Sequence, residues 1–207
     1  MPQQRGPRLS LADWLVLCLI SEGPTHGFAI AGLLTPDGSL GRVWHVHKTE
    51  VYRSAQRLEH LGLITVSDRQ PSKRGADLAQ LRATAEGRQA AEKWLRQPVG
   101  HPRHIRSELL IKLALLDRAG VDPRDLLQAQ RRQLAPIAEA LATGVRSATG
   151  YDHALALWRH ESLSATLRFL DTLLAAVPAQ RTSLSFNLRG SSLRSRWVTQ
   201  HNLCSGF

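Results

Sequence analysis

The hydrophobic pattern of this chain changes its period immediately after Gly62. Before that glycine, apolar residues such as Val51 and Leu58 recur at helical spacing, which predicts amphipathic helices. After it, residues 63–69 and 77–83 have the composition of two short strands joined by a turn. A hairpin that directly follows helical segments limits the fold to a mainly α domain carrying one small β-hairpin.

Three helices are predicted before the hairpin. Ser10 is predicted to cap the first helix, with Asp13 as its capping-box partner. Thr25 is predicted to cap the second. The apolar residues of that second helix are predicted to face inward: Phe28, Ile30, Ala31 and Leu34. The third helix runs over residues 48–61 and ends at Gly62. Three helices followed by a hairpin form a winged helix-turn-helix.

Positive charge is concentrated around the third helix. The chain of 207 residues has a net charge of +10 and a pI near 10.9, which suggests an anionic partner. The excess is spread along the chain, but residues 42–74 hold seven positive side chains against three acidic ones. The positive residues are Arg42, Lys48, Arg53, Arg57, Arg69, Lys73 and Arg74.

This patch makes the third helix a candidate reader of duplex DNA. In a winged helix-turn-helix the third helix enters the major groove with its N-terminal residues against base edges. Arginine donates two hydrogen bonds to guanine or binds phosphate, whereas tyrosine and glutamine are neutral donors. The candidate DNA-binding residues are Lys48, Thr49, Tyr52, Arg53, Gln56 and Arg57 on helix 48–61, with Lys73 and Arg74 on the wing 63–83.

Two other interpretations of the basic helix remain open from the residues alone. A basic amphipathic helix is also the ordinary solvated face of a helical protein-interaction or scaffold module. A membrane-surface helix needs large apolar groups opposite its basic face, and the third helix has only Val51, Ala55 and Leu58 there. We therefore expect double-stranded DNA as the partner and no membrane, with the scaffold module as the alternative.

The second half of the chain is predicted to be helical and to dimerise. Leu127, Leu134 and Leu141 recur every seven residues, although Gln130 and Pro136 weaken that stripe. The last helix carries a second stripe at Leu163, Leu167, Leu170, Leu174 and Val177. The two stripes either pair within one chain as a helical hairpin or contribute to a homodimer interface.

These patterns divide the chain into three parts. Residues 1–97 are predicted to form the DNA-binding domain, and residues 98–178 the helical dimerisation domain. Residues 179–207 contain no acidic residue and show little periodicity, so a basic, disordered tail is expected.

No catalytic or metal-binding motif is recognisable. The sequence has no Gly-rich phosphate loop, no G-x-S-x-G turn and no H-E-x-x-H helix. We therefore predict no enzymatic activity, no metal and no cofactor. Trp94 either flanks a small-molecule effector pocket at a dimer interface, because its ring is a flat stacking surface, or belongs to the core.

Cysteine content and hydrophobicity bear on location. Cys18 and Cys204 are too few and too differently placed for a disulfide framework. The longest apolar run, residues 14–20, is far shorter than the roughly 18–20 residues that span a bilayer. We expect a cytoplasmic protein.

Several segments resemble the PadR family of bacterial transcriptional regulators. "LSLADWLVLCLISEGPTHGFAIAGLL" and "TEVYRSAQRLEHLGLI" contain the motifs His26-Gly27-Phe28, Tyr52, Leu58-Glu59 and Gly62-Leu63-Ile64 at the family's positions. "ATAEGRQAAEKWL" and "SELLIKLAL" are similar to the helices that follow. One departure is the second wing strand, where "LRAT" lacks the family's aromatic residue and leaves the register of that strand open.

The resemblance implies a homodimeric repressor that occupies promoter DNA. Members of the family often control detoxification, drug-efflux or developmental genes. An effector pocket beside Trp94, the alternative to a core position, would make the regulator responsive to a small molecule of unknown identity.

Overall fold

The computed structural model of the chain describes residues 9–70 and 78–176. The predicted wing-tip residues Lys73 and Arg74, and the predicted tail 179–207, lie outside the described residues.

The described residues form helices and one antiparallel hairpin. In chain order the elements are α1 (Leu11–Ser21), α2 (Gly27–Leu33), α3 (Lys48–His60), β1 (Ile64–Gln70), β2 (Leu78–Ala83), α4 (Ala85–Arg96), α5 (Leu110–Arg118), α6 (Arg124–Ser147) and α7 (Gly150–Ala176). A 3-10 turn at Pro102–His104 and a π-helical turn at Ile105–Leu109 lead into α5. The predicted fold, a winged helix-turn-helix followed by C-terminal helices, is confirmed.

The N-terminal ends of α1 and α2 are capped by different means. The Ser10 backbone N–H donates to the Asp13 carboxylate at 2.8 Å, and the Asp13 N–H donates to the Ser10 hydroxyl at 3.1 Å, so the predicted capping box is present. The prediction that Thr25 caps α2 is wrong. The cap is His26, whose Nδ1 accepts from the Ala29 N–H at 3.1 Å.

Thr25 is extended because it pairs with the wing. Its N–H donates to the Leu81 carbonyl at 3.1 Å, and the Leu81 N–H donates to the Thr25 carbonyl at 2.7 Å. The turn between α1 and α2 is thereby attached to β2, which orients the hairpin relative to the helices.

The hairpin has a defined register. Ile64 pairs with Ala83 and Val66 with Leu81, and the register shifts between Ser67 and Gln70. The register that the sequence left open is therefore the one that directs Leu81 into the core, where it is 5% exposed. At the end of the hairpin, Thr84 caps α4 by accepting from the Gly87 N–H at 3.0 Å.

Gly87 is required by a close approach of two backbone segments. A Cβ atom at this position would lie 1.9 Å from the carbonyl oxygen of Leu63. The absence of a side chain lets the first turn of α4 lie directly against the backbone at the start of the hairpin.

Helix α1 is the centre of the N-terminal core. It contacts α3, α4 and β2, and Leu15, Val16 and Leu17 are fully buried. The spacing of Leu11, Leu15, Cys18 and Leu19 predicts one apolar face on α1, but the helix is buried on all sides over residues 15–21. Contacts from three elements explain this difference.

Helices α6 and α7 fold back on each other as a helical hairpin. Leu127 and Leu134 of α6 and Leu163 and Leu170 of α7 are at most 3% exposed. Helix α6 continues through Pro136, which is exposed. These four leucines are thus buried within one chain. The sequence had left open whether they pair internally or between two chains.

Gln130 attaches the helical hairpin of α6 and α7 to the segment that follows α4. Its side-chain oxygen accepts from the Val99 N–H at 2.6 Å, and its amide donates to the Val99 carbonyl at 3.2 Å. Gln133 donates to the same carbonyl at 3.0 Å. A buried amide with both functions satisfied does not disrupt the core, contrary to the prediction that Gln130 weakens the stripe.

No helix in the described residues combines the length and apolar character that a membrane crossing requires.

Candidate nucleic-acid interface

Helix α3 has one buried face and one exposed face. Val51 and Leu58 are fully buried, and Ser54 and Ala55 complete that face. The six predicted DNA-binding residues of the helix are all exposed: Lys48, Thr49, Tyr52, Arg53, Gln56 and Arg57. The structure therefore brings them together on the surface that faces away from the core.

Arg53 is available at this surface. Its guanidinium lies 3.9 Å from the Glu50 carboxylate one turn earlier, and its side chain is 73% exposed. A solvent-exposed contact at that distance contributes little free energy. Glu50 therefore does not prevent Arg53 from binding an anion, although its charge opposes phosphate at the start of the helix.

Arg57 connects α3 to α1. One terminal nitrogen of its guanidinium donates to both oxygens of Asp13, at 2.8 and 2.6 Å. Asp13 is fully buried, whereas the Arg57 side chain is 46% exposed. This contact gives Arg57 a structural role that the sequence did not reveal, because the two residues are 44 positions apart. Its predicted contact with DNA stays a prediction.

The environment of Asp13 holds its carboxyl in the charged form. Burial by itself raises the pKa of Asp13, but the hydrogen bonds from the Ser10 backbone and from Arg57 outweigh burial and leave the pKa below its ordinary value. A single carboxylate thus caps α1 and anchors α3.

Tyr52 packs on the first residue of α2, Gly27. A Cβ atom at Gly27 would lie 2.8 Å from Cε1 of the Tyr52 ring, so only glycine leaves room for the ring there. Tyr52 remains 42% exposed. One edge of the ring therefore stays accessible while the other fixes the distance between α2 and α3.

Phe28 is exposed, and the prediction that it faces inward is wrong. The short helix α2 buries Gly27, Ile30 and Ala31, which leaves Phe28 on the opposite side with 61% of its surface exposed. The ammonium nitrogen of Lys48 lies 5.5 Å from the centroid of the Phe28 ring. An aromatic ring is thus placed beside the first residue of α3.

The loop between α2 and α3 adds further groups. Trp44 is 41% exposed, and the rings of His45 and His47 lie 4.6 Å apart between centroids. Arg42 is exposed in the same loop. Sequence reasoning had not selected Phe28 or Trp44, since an apolar residue in an amphipathic pattern is ordinarily assigned to the core.

Trp94 is a core residue within the single chain. It is 6% exposed, and its ring stacks on Trp14 with centroids 5.4 Å apart and planes 6° from parallel. The Lys112 ammonium lies 4.5 Å from the Trp94 centroid. These contacts favour the core interpretation, and a role beside an effector stays a prediction.

Lys112 joins the N-terminal domain to the C-terminal helices. It is 1% exposed, donates to the Gln97 carbonyl at 2.8 Å and pairs with Glu108 at 2.9 Å. Burial lowers the pKa of Lys112, and its contact with Glu108 partly offsets that effect. The charge is fully partnered, as a buried ammonium requires.

The described residues contain no cluster of three or more His, Cys, Asp or Glu side chains that could hold a metal ion.

Comparisons with known proteins agree with this geometry. Residues 16–93 match the model of the family described as "Transcriptional regulator PadR-like family". These residues extend from α1 to α4 and include all of α3 and the hairpin. A search of curated proteins found no match.

Three solved structures are similar to the chain at low identity. Bacillus subtilis PadR in complex with operator DNA is 18% identical, with 82% of this chain and 100% of that chain covered and a TM-score of 0.42. The smu.1604c protein from Streptococcus mutans UA159 is 16% identical, with coverages of 79% and 98% and a TM-score of 0.38. Bacillus subtilis PadR is 18% identical, with coverages of 82% and 97% and a TM-score of 0.37. The similarity to the PadR-like family of transcriptional regulators therefore covers residues 16–93 of the chain.

Proposed function

We propose that this protein is a homodimeric repressor that binds promoter DNA through α3 and the wing. The observation that carries the proposal is the exposed face of α3, where the six predicted DNA-binding residues lie together, opposite the buried Val51 and Leu58.

The dimensions and chemistry of α3 fit the major groove. A helix of 13 residues is about 20 Å long at 1.5 Å per residue, and the groove is about 12 Å wide and admits one helix. Lys48 and Thr49 occupy the N-terminal turn, which meets base edges in this class of domain. Arg53 and Gln56 follow one and two turns later and supply donors for guanine and adenine.

A homodimer is supported by the second face of α7. Tyr151, Trp158 and Phe169 are 79%, 72% and 38% exposed. They are separated by seven and eleven residues, close to two and three helical turns, so they share one face. We call these three residues the aromatic row. We infer from these three exposed rings on one face that α7 has an interaction site there, and a second copy of the chain is the proposed occupant.

The aromatic row differs from the seam expected from the sequence. Leu163 and Leu170 lie about 120–140° around the helix from Trp158, at 100° per residue, and they are buried against α6. They are therefore unavailable to a partner, while the aromatic row is available. Two recognition helices about 34 Å apart would then enter successive major grooves.

Repression, a cytoplasmic location and a response to an unidentified small-molecule effector complete the proposal. Repression rests on the match of residues 16–93 to the PadR-like family model and on the resemblance of the motifs. The cytoplasmic location rests on the two dissimilarly placed cysteines, and the effector rests on the flat ring of Trp94.

Binding to the DNA upstream of the protein's own gene tests the proposal. Footprinting should show a protected site with two related halves. If each protomer neutralises about four phosphates, log K should fall with log salt concentration with a slope near −7, at about −0.9 per contact. A slope near zero, or no protection in a folded preparation, would instead favour the helical interaction or scaffold module.

A further inference from the structure

Phe28 has a position that core packing does not explain. It is the second residue of α2, and 61% of its surface is exposed. Because stabilisation by an apolar side chain grows with the area removed from water, Phe28 contributes less to the stability of the isolated chain than a buried phenylalanine would. Its neighbours Ile30 and Ala31, by contrast, are buried.

The ring is held beside the residues that lead α3. The Lys48 ammonium lies 5.5 Å from its centroid, within the range of a cation–π contact. The preceding residue, Gly27, packs against the Tyr52 ring. Phe28, Lys48 and Tyr52 therefore form one continuous surface in which the aromatic ring is the largest apolar group.

The major groove contains one kind of apolar group that such a ring can meet. Each base pair presents a pattern of hydrogen-bond donors and acceptors there, and thymine adds its C5-methyl group. Lysine and tyrosine can satisfy the polar positions, whereas a phenyl ring has no hydrogen-bonding group and gains free energy at a base edge by covering apolar surface.

We propose that Phe28 is a specificity-determining residue of this regulator, which reads the C5-methyl group of a thymine beside the bases contacted by Lys48. The inference rests on the proposed DNA-binding function, and it extends the reading surface from α3 to the first turn of α2.

The test removes the methyl group and the ring separately. The probe is the duplex found by footprinting, or by selection from a random pool, with each thymine of one half-site replaced in turn by deoxyuridine. For the wild-type protein, one substitution should weaken binding about fourfold, the equivalent of about 0.8 kcal/mol for one buried methyl-sized group. Phe28→Ala should weaken binding to the unmodified duplex by at least as much and abolish that fourfold penalty.

Matched controls separate this contact from a general loss of binding. Trp44→Ala removes another exposed ring of the same domain, in the loop before α3, and should leave the deoxyuridine penalty near fourfold. Phe28→Gln is a second variant that keeps a side chain of intermediate size with a polar end and no aromatic ring, and it should also abolish the penalty. Circular dichroism should show unchanged helix content for each variant.

The outcomes distinguish this inference from the proposed function. If the wild-type protein protects no site, the proposed function itself fails. If the wild-type protein binds a specific site but no thymine shows a penalty, or if Phe28→Ala and Phe28→Gln retain the penalty, the assignment of Phe28 is overturned while DNA binding stands.

Discussion

Helices α3 and α7 both bury one face within the chain and expose another, but the exposed faces differ in chemistry. The exposed face of α3 carries lysine, arginine, glutamine and tyrosine, which water solvates well. The exposed face of α7 carries the aromatic row, which water solvates poorly. A polar face is stable in water without a bound ligand, whereas an aromatic face is stabilised when a protein partner buries it.

The largest expected effect contrasts the two faces of α7. Leu170→Asp should destabilise the chain by about 4 kcal/mol or more, because it loses a buried leucine and places a carboxylate in the apolar contact with α6. Leu170 is fully buried. Chemical denaturation followed by circular dichroism measures the change, and a variant as stable as the wild type would contradict the hairpin packing.

Trp158→Asp is the matched substitution on the exposed face of α7. Because Trp158 is 72% exposed, the single chain should keep its helix content, while sedimentation should show a shift from dimer to monomer. A dimer of unchanged affinity would show that the aromatic row is not the interface, and a wild-type monomer that still protects a two-fold symmetric site would refute the dimer itself.

The next largest effect concerns the anchor of α3. Asp13→Asn should destabilise the N-terminal domain by about 2–3 kcal/mol, since it weakens charge-assisted hydrogen bonds to the Ser10 backbone and to Arg57. Glu59→Gln, a change to an exposed carboxylate on α3, is the control and should change thermal stability little. Equal effects of the two substitutions would argue against an anchoring role.

The same carboxylate predicts a pH dependence. The folded state lowers the pKa of Asp13 from 3.8, so its stabilising contribution is fully present above the unfolded-state pKa and is lost as the pH falls through the lower, folded-state value. The stability difference between wild type and Asp13→Asn should therefore be constant from pH 7 to about 5 and shrink below about pH 4. A difference that grows on acidification would contradict the assigned direction.

Within the proposed DNA interface, Arg53 should affect discrimination between the specific site and other sequences. Arg53→Ala should lose about 1–3 kcal/mol of preference for the specific site if the guanidinium makes a bidentate base contact. Competition between the footprinted site and random duplex measures this preference. Equal weakening on both duplexes would indicate that Arg53 contacts phosphate, and α3 would then lack its predicted arginine contact to a base.

The smallest effect per residue is expected at the wing. Lys73→Ala and Arg74→Ala should each weaken binding to all sequences to a similar degree and reduce the salt slope by about 1, because contacts to the DNA backbone carry no sequence information. Their side chains lie outside the described residues, so this prediction rests on the sequence. A selective loss at the specific site would give the wing a part in reading bases.

Much of the fold follows from local rules that the sequence makes visible. The capping box of Ser10 and Asp13 depends on residues three positions apart, and the end of α3 depends on Gly62, whose φ of +69° suits glycine. The buried positions Val51 and Leu58 follow from helical periodicity. The exposure of the six predicted residues of α3 follows for the same reason.

Other features were decided by contacts between distant segments. Thr25 does not cap α2 because it is bonded to Leu81 of the wing, and Phe28 is exposed because α2 turns its other side to the core. The anchoring of Arg57 depends on a buried carboxylate 44 residues earlier. None of these contacts leaves a periodic signal along the chain.

The sequence by itself thus determined the order of the elements, the amphipathic helices and the basic face of α3, because backbone hydrogen bonding and hydrophobic periodicity act over a few residues. Only the tertiary structure decided which face of α7 is buried within the chain and which carries exposed aromatic rings. The reason is that the apolar residues of α7 cover more than one face, and which of them are buried depends on the position of α6, which local spacing does not encode.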